Sequence, residues 1–172
     1  MGSPLRLDFS DLLCEIAFGY KLDLDGIHGL NHWARVFHFG SLIAKDLEHV
    51  DLIVVELFAL FHDSRRENEN SDPEHGYRGS QLAIQLLSDY IDSYRLHTLV
   101  EACIWHTSQT FSKNLTVQVC WDADRLDLFR LGIEVNPAFL NTSNAKSLVK
   151  DIPGIWPSEV HVRNIKNRWR KK

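Results

Sequence analysis

The 172-residue sequence predicts an all-α, single-domain fold of about six or seven helices. Three observations favour this class. Apolar residues recur at three- and four-residue steps over most of the chain, the five prolines lie outside these periodic segments, and no repeat or change of composition marks a domain boundary. Hydrophobic residues make up 44% of the chain, which is enough to bury a core of ordinary size.

Three helices are predicted in the first part of the chain. Residues 11–20 place apolar side chains on one helical face, and residues 28–47 repeat this pattern over a longer amphipathic helix. Residues 51–61, DLIVVELFALF, are apolar nearly all round, so we expect a helix buried in the middle of the domain. Their β-branched residues would also allow a strand, but the length of the segment and the polar stretch after it favour a helix.

The polar segment 64–76, SRRENENSDPEHG, contains a proline and a glycine and is predicted to be a loop. Helical patterns resume over residues 74–87, 91–106 and 117–131. Three prolines then divide the last quarter of the chain into short pieces. We expect the whole chain, residues 1–172, to form one domain.

The net charge of −4 is unevenly distributed. Residues 161–172 carry six basic residues and no acidic one, whereas the rest of the chain has a net charge of −10. Because the chain outside this segment is acidic, the sequence does not favour nucleic acid as a binding partner. Val162, Ile165 and Trp169 recur at helical spacing, so this basic segment is predicted to be an amphipathic helix that docks on the body or on a second subunit of a homodimer.

The sequence predicts a cytoplasmic protein without a membrane partner. No apolar run approaches the roughly 18–20 residues of a membrane span, and the N-terminus lacks the pattern of a signal peptide. Cys14, Cys103 and Cys120 are odd in number and widely spaced. They exclude a zinc ribbon or a paired redox motif, and they do not favour a disulfide framework.

Histidines and aspartates recur at the ends and inner faces of the predicted helices. His28, His32 and Arg35 share one face of the long second helix. The other members lie near helix ends or within the segment CWDADRLDLF: His62, Asp63, His75, His106, Asp122 and Asp124. Burying these groups without partners would be costly, and a metal ion satisfies several of them at once. A mixed nitrogen and oxygen ligand set suits Mn, Fe, Co, Ni, Zn or Mg and leaves the identity of the divalent ion open.

Three motifs in order make the sequence similar to the HD-domain metal-dependent phosphohydrolases. They are HWARV at residues 32–36, ALFHD at residues 59–63 and DADRLD at residues 122–127. The doublet His-Asp alone is a weak signal, whereas the ordered set is a strong one. It extends over residues 28–132 and resembles an uncharacterised bacterial branch of the superfamily. The resemblance implies an HD-type helical bundle and a phosphohydrolase that requires a divalent metal ion.

The resemblance also implies roles for individual residues. His75 and His106 match positions where some members add histidines for a second metal and others keep them near the substrate. We expect one tightly held metal, with both of these histidines lining the substrate side. His28 faces the same way as His32 and is a candidate for contacting substrate phosphate or a group next to the metal ligands; the alternative is a histidine at a helix start that bonds only to the backbone. The implied metal ligands are His32, His62, Asp63 and Asp124.

One position departs from the pattern of the nucleotidase-like branch, in which a glutamate three residues after the doublet assists the attacking water. That position is Arg66 here, and Glu67 follows it. The general base is therefore open between Glu67 and Glu74. Arg65 and Arg66 are candidates for binding substrate phosphate, and Arg35 is a candidate for stabilising charge on the phosphoryl group. The alternative is that the loop is merely solvated.

The predicted function is hydrolysis of a small phosphate ester, with a nucleotide or related phosphomonoester as the expected substrate. A di-iron oxygenase on the same scaffold is an alternative that requires both His75 and His106 to be ligands. A non-catalytic ligand-binding domain is a second alternative, although the complete ligand set argues against it. The sequence leaves open the substrate, the metal and its number, the general base and the oligomeric state.

Overall fold

The computed structural model describes residues 8–171, and this part of the chain is helical without strands. Two short helices, α7 (Ser143–Leu148) and α8 (Ile152–Ile155), accompany seven longer ones. The longer helices are α1 (Phe9–Phe18), α2 (Leu30–Ala44), α3 (Leu52–Phe61), α4 (His75–Leu87), α5 (Ser93–Trp105), α6 (Leu115–Leu126) and α9 (Glu159–Trp169). The all-α class is confirmed, and the helix count is slightly above the six or seven predicted.

Short polar side chains define where most of the helices begin. Each accepts a hydrogen bond from a backbone N–H of the first helical turn, an interaction that contributes about 1 kcal/mol. These caps are Asp8, Asp51, Asp92, Asn114, Thr142 and Ser158. By contrast, α2 and α4 begin without a side-chain cap. Tertiary contacts must therefore position these two helix starts, and both carry histidines of the predicted site.

Helix α3 occupies the centre of the bundle, where α2, α4, α5 and α6 pack against it. Seven of its ten residues are buried, as its nearly all-apolar sequence predicts. Gly40 of α2 permits a close crossing, because a Cβ atom there would lie 2.4 Å from Cγ1 of Val55. The segment that could also have been a strand is therefore a helix, which Asp51 caps at its start.

The basic C-terminal helix α9 packs on α1 and α2 of the same chain. Val162, Ile165 and Trp169 are buried, which confirms the predicted amphipathic docking on the body. Glu56 of α3 accepts a hydrogen bond from Nε1 of Trp169 at 2.6 Å and pairs with the guanidinium of Arg168. One acidic side chain in the body therefore neutralises part of the basic segment.

The structure also bears on the predictions about membrane spans and cysteines. Within residues 8–171 no helix has both the length and the apolarity needed to cross a membrane. Cys103 and Cys120 are buried, Cys14 is exposed, and all three are free thiols. Residues 1–7, which entered the signal-peptide prediction, and Lys172 of the basic segment lie outside the described residues.

Candidate metal centre

Four of the nine histidines converge in the interior, although they come from four different parts of the bundle. His32 lies on α2, His62 follows α3, His75 begins α4 and His106 follows α5. All four are buried. Their Nε2 atoms face one another in pairs, with 3.0 Å between those of His32 and His62 and 2.9 Å between those of His75 and His106.

The opposite ring nitrogen of each histidine lies against an oxygen atom that accepts hydrogen bonds. Because these oxygens can only accept, Nδ1 carries a proton in each ring, and the neutral form of each ring has its lone pair at Nε2. The acceptors are Oδ2 of Asp127 for His32 at 2.6 Å, O of Phe58 for His62 at 3.0 Å, O of Cys103 for His106 at 2.7 Å, and O of Asp72 for His75.

Two lone pairs facing each other at about 3 Å in a buried site need a positive partner between them. Burial lowers the pKa of His62 to about 3 and also lowers the pKa of His106, so a proton is disfavoured on these two rings. At His32 and His75 burial acts in the same direction, but hydrogen bonds to carboxylates, Asp127 and Asp63 for His32 and Asp63 for His75, outweigh it and raise the pKa. Neutral imidazole nitrogens are, in contrast, common ligands of divalent transition metals. The residues present therefore fit a metal ion, and the tautomers are already those that ligation requires.

The carboxylate of Asp63 lies between the two pairs of histidines. Its Oδ2 atom is 3.4 Å from Nε2 of His32 and 3.7 Å from Nε2 of His62, whereas its Oδ1 atom is 3.1 Å from Nε2 of His75. Burial alone would raise the pKa of Asp63, but the neighbouring histidines outweigh it and hold that pKa well below its ordinary value. Asp63 is therefore ionised and presents one oxygen to each side.

Two groups of possible metal ligands result, each with its ligand atoms within 4.8 Å of one another. The first contains His32, His62 and Asp124, and the second contains Asp63, His75 and His106. Oδ1 of Asp124 lies 3.4 Å from Nε2 of His32 and 3.7 Å from Nε2 of His62. The four residues predicted as ligands of one metal thus come together, and both histidines predicted to line the substrate side lie beside them.

Gly76 allows the second group to form. Helix α4 starts against the end of α5, and a Cβ atom at Gly76 would lie 2.2 Å from O of Cys103 and 3.1 Å from the ring of His106. The absence of a side chain thus lets the backbones of α4 and α5 approach closely. This close approach brings His75 to His106, although α4 has no side-chain cap to hold its start.

Asp127 holds His32, a member of the first group, by the ring nitrogen that does not face the other ligands. It is completely buried and accepts hydrogen bonds from Nδ1 of His32, Nε of Arg35 at 2.6 Å and Nη2 of Arg35 at 3.1 Å. Arg130 lies 3.3 Å from the same carboxylate. Arg35, predicted to stabilise charge on the substrate, is therefore occupied with Asp127 and acts on His32 through it. Asp127 was not singled out from the sequence, although it ends the DADRLD motif.

The structure separates the two candidate aspartates of this motif. Asp124 faces the histidines, whereas Asp122 accepts hydrogen bonds from the backbone N–H groups of Asn141 and Thr142, both at 2.7 Å. Asp122 thereby anchors the chain that leads into α7. Asp124, the aspartate implied as a metal ligand, is thus the one that faces the cluster.

Arg66 is the one predicted loop arginine whose guanidinium reaches the cluster. Its Nη1 atom lies 3.5 Å from Oδ1 of Asp63 and 3.3 Å from Nε2 of His75. Nε and Nη2 donate to the carbonyl oxygens of Asn68 and Asn70, so the loop itself holds the guanidinium in place. A positive charge is therefore fixed at the edge of the second group of ligands.

Two other predicted residues are engaged elsewhere. Arg65 donates hydrogen bonds to the carbonyl oxygens of Glu15 and Ile16, and so connects the loop to the end of α1. Glu67 pairs at 2.7 Å with Lys21 in an exposed ion pair, and this contact lowers its pKa. Neither contact leads to the cluster, so the structure does not support Arg65 as a phosphate ligand or Glu67 as the general base.

Glu69, two positions further along the loop, is the carboxylate that approaches the site. It forms a hydrogen bond with Nδ1 of His28, a buried side chain whose ring centroid is 6.3 Å from that of His32. Tyr20 donates a hydrogen bond to the backbone oxygen of His28 at 2.8 Å. Burial and the negative charge of Asp63 raise the pKa of this tyrosine. Sequence reasoning missed Glu69 and Tyr20, because no spacing rule determines which loop residue folds back.

Comparison with known proteins agrees with this geometry. No family model and no curated protein matches the chain. Among solved structures, it is similar to a predicted HD superfamily hydrolase from an uncultured Thermotogales bacterium, with 25% sequence identity, a TM-score of 0.66 and 95% of each chain covered. Together with the histidine and aspartate groups, this similarity confirms the resemblance to the HD superfamily and supports a metal-dependent hydrolase.

Proposed function

We propose that the protein hydrolyses a small phosphate ester with the help of two divalent cations, and that a nucleotide or related phosphomonoester is the substrate. The observation that carries this proposal is the position of Asp63, whose two carboxylate oxygens face two separate groups of ligands. The proposal revises the expectation of a single metal, since it assigns His75 and His106 to the second cation instead of to the substrate.

The two cations would, when bound, lower the pKa of a water molecule and polarise a phosphoryl oxygen. The chain's own residues prepare the site for this chemistry. Asp127 keeps the Nε2 lone pair of His32 directed into the centre. Backbone oxygens do the same for His62, His75 and His106.

Arg66 is the residue that we assign to the substrate phosphoryl group. Two of its nitrogens are held by loop carbonyl oxygens, which leaves Nη1 directed toward Asp63 and His75. An anionic oxygen that enters between the second group and the loop would lie within hydrogen-bond distance of a guanidinium that is already ordered. Little side-chain entropy would then be lost on binding.

His28 and Glu69 are the pair that we assign to proton transfer, in place of Glu67. The carboxylate of Glu69 lies at Nδ1 of His28, while Nε2 has no hydrogen-bond partner among residues 8–171. Burial lowers the pKa of His28, so the ring is neutral near pH 7 and Nε2 is able to accept a proton. The side chain of Glu69 is 38% exposed, which gives the pair access to solvent.

A di-iron oxygenase remains the second candidate. That activity requires His75 and His106 to serve as ligands, and the group they form with Asp63 supplies this arrangement. Iron in the purified protein together with substrate-dependent oxygen consumption would favour it over hydrolysis.

The experiment that tests the proposal combines metal analysis with a substrate screen. Protein purified without chelator is analysed for metals and assayed for phosphate release from nucleoside monophosphates, sugar phosphates and p-nitrophenyl phosphate. We expect two divalent ions per chain and hydrolysis that is lost with chelator or in Asp63→Asn. Glu134→Gln, which removes an exposed carboxylate, is the control. Metal-loaded protein that releases no phosphate from any ester would contradict the proposal.

A further inference from the structure

A cleft of about 520 Å³ lies beside helix α9, and none of the proposed metal ligands lines it. We call it the α9 cleft. Its polar and aromatic walls are formed by Asn31, Arg35, Trp156, Glu159, Arg163 and Lys166. Its volume falls within the range of small-molecule binding sites. Two of its residues, Arg163 and Lys166, belong to the basic C-terminal segment, which the proposed hydrolysis does not use.

The α9 cleft carries positive charge that the protein does not neutralise. Arg163 has no ion-pair partner among residues 8–171, and Lys166 donates to the neutral Oδ1 atom of Asn31 at 2.6 Å. Glu159 is the one acidic residue in the lining, so it offsets only one of these two charges. Arg35 adds a third positive charge, which is already paired with Asp127. An anion is therefore the ligand that this environment favours.

The hydrogen-bonding groups of the cleft are also mostly donors. Nε and Nη2 of Arg35 are used by Asp127, whereas Nη1 has no partner among residues 8–171. The Nδ2 amide of Asn31 is unused in the same part of the chain, because its Oδ1 atom takes the hydrogen bond from Lys166. A phosphoryl group presents only acceptors and carries close to two negative charges, so it complements these donors.

We propose that the α9 cleft binds a phosphoryl group carried by a small molecule, at a site separate from the metal centre. The concave shape favours a small ligand over a polymer or a flat surface. Trp156 provides an aromatic wall of the cleft. The centroid of its ring lies 5.4 Å from Cζ of Arg35. The site is connected to the cluster, because Asp127 accepts hydrogen bonds from both Arg35 and His32. The proposal does not depend on the reaction catalysed at the metal centre.

Nuclear magnetic resonance of the protein as purified tests this proposal. Of the five tryptophans, Trp156 is the one that lines the cleft, so its indole N–H resonance reports local binding. This resonance is assigned with the variant Trp156→Phe. Inorganic phosphate and phenylphosphonate, whose carbon–phosphorus bond is not cleaved by ester hydrolysis, are titrated separately at low ionic strength. We expect a saturable movement of the Trp156 resonance with both probes, and the ratio of their affinities distinguishes a free phosphate from a phosphorylated metabolite.

A pair of matched double variants separates a binding site from general attraction by positive charge. Arg163→Glu with Lys166→Glu should weaken binding about tenfold or more, since it replaces two of the cationic donors. Arg170→Glu with Lys171→Glu makes the same charge change on the same segment, outside the cleft, and should leave the affinity within about twofold. A Trp156 resonance that does not move, or equal weakening in both double variants, would overturn the proposal.

Discussion

The Oδ2 atom of Asp127 lies 2.6 Å from Nδ1 of His32, and this contact orients a metal-binding histidine by means of a residue that does not face the cluster. Asp127 is completely buried and also holds the guanidinium of Arg35. The carboxylate therefore determines both the tautomer of His32 and the direction in which its free nitrogen points. The metal affinity of the site should therefore depend on residues that hold the ligands in place, such as Asp127, as well as on the ligands themselves.

Replacement of Asp127 by asparagine should weaken metal binding about 10–100-fold, because the amide no longer stabilises the required tautomer of His32. Chelator competition measures this change. The control is Asp122→Asn, since Asp122 is equally buried but bonds to the backbone of Asn141 and Thr142. That variant should lose stability and keep its metal affinity. Equal losses of metal affinity in both variants would refute the role of Asp127.

Asp63→Ala should lose bound metal and also lower the free energy of unfolding. The substitution removes the carboxylate that faces both groups, so the buried histidines lose a shared metal ligand and the only negative charge that contacts both His32 and His75 among residues 8–171. Elemental analysis and thermal unfolding of the same preparation measure the two effects. Retention of metal at the wild-type stoichiometry would show that Asp63 is not a ligand.

Gly76→Ala should destabilise the protein by about 1–3 kcal/mol, because the new Cβ atom would overlap O of Cys103. The sign of this change is informative, since glycine to alanine in an unconstrained helix is stabilising by about 1 kcal/mol. Metal should be lost preferentially from the group that contains His75 and His106. Gln81→Ala, at an exposed position of α4, is the control and should change stability by less than about 0.5 kcal/mol. Stabilisation by Gly76→Ala would show that α4 and α5 are not in close contact.

Stability should fall as the pH drops below about 6.5, in part because of His38. Burial lowers the pKa of His38 from its ordinary value of 6.5, even though Ile155 accepts a hydrogen bond from its ring. The unfolded chain therefore binds a proton at this residue more readily than the folded chain, so stability is lost between pH 6.5 and the lower pKa of the folded state. His38→Gln should flatten the pH dependence of the melting temperature. His97→Gln, which removes an exposed histidine, should leave it unchanged.

Trp169→Ala should lower the free energy of unfolding by about 3–5 kcal/mol, as expected for a large buried aromatic side chain. The substitution also removes the hydrogen bond to Glu56 and weakens the attachment of α9 to the bundle. Chemical denaturation measures the effect, with the exposed neighbour Arg170→Ala as control. Similar stabilities of the two variants would show that α9 contributes little to the fold.

The sequence alone determined the class of the fold and the members of the cluster. Periodicity located the main helices, since the alternation of apolar and polar residues is a local property of the chain. The motifs that contain His32, the doublet at 62–63 and Asp124 identified residues that the structure brings together. The amphipathic character of α9 was also predictable, because Val162, Ile165 and Trp169 form one apolar face. The sequence left open whether this face docks on the same chain or on a second subunit, and the structure packs it on α1 and α2.

Only the tertiary structure decided how these residues are arranged around the centre. The loop 64–76 contains several charged residues whose directions depend on contacts with distant helices. Lys21 draws Glu67 outward, the end of α1 takes Arg65, and His28 takes Glu69. Each contact joins positions more than forty residues apart. Helical spacing describes neighbours within a few residues, so it specifies which faces are apolar but not which loop side chain meets which ring.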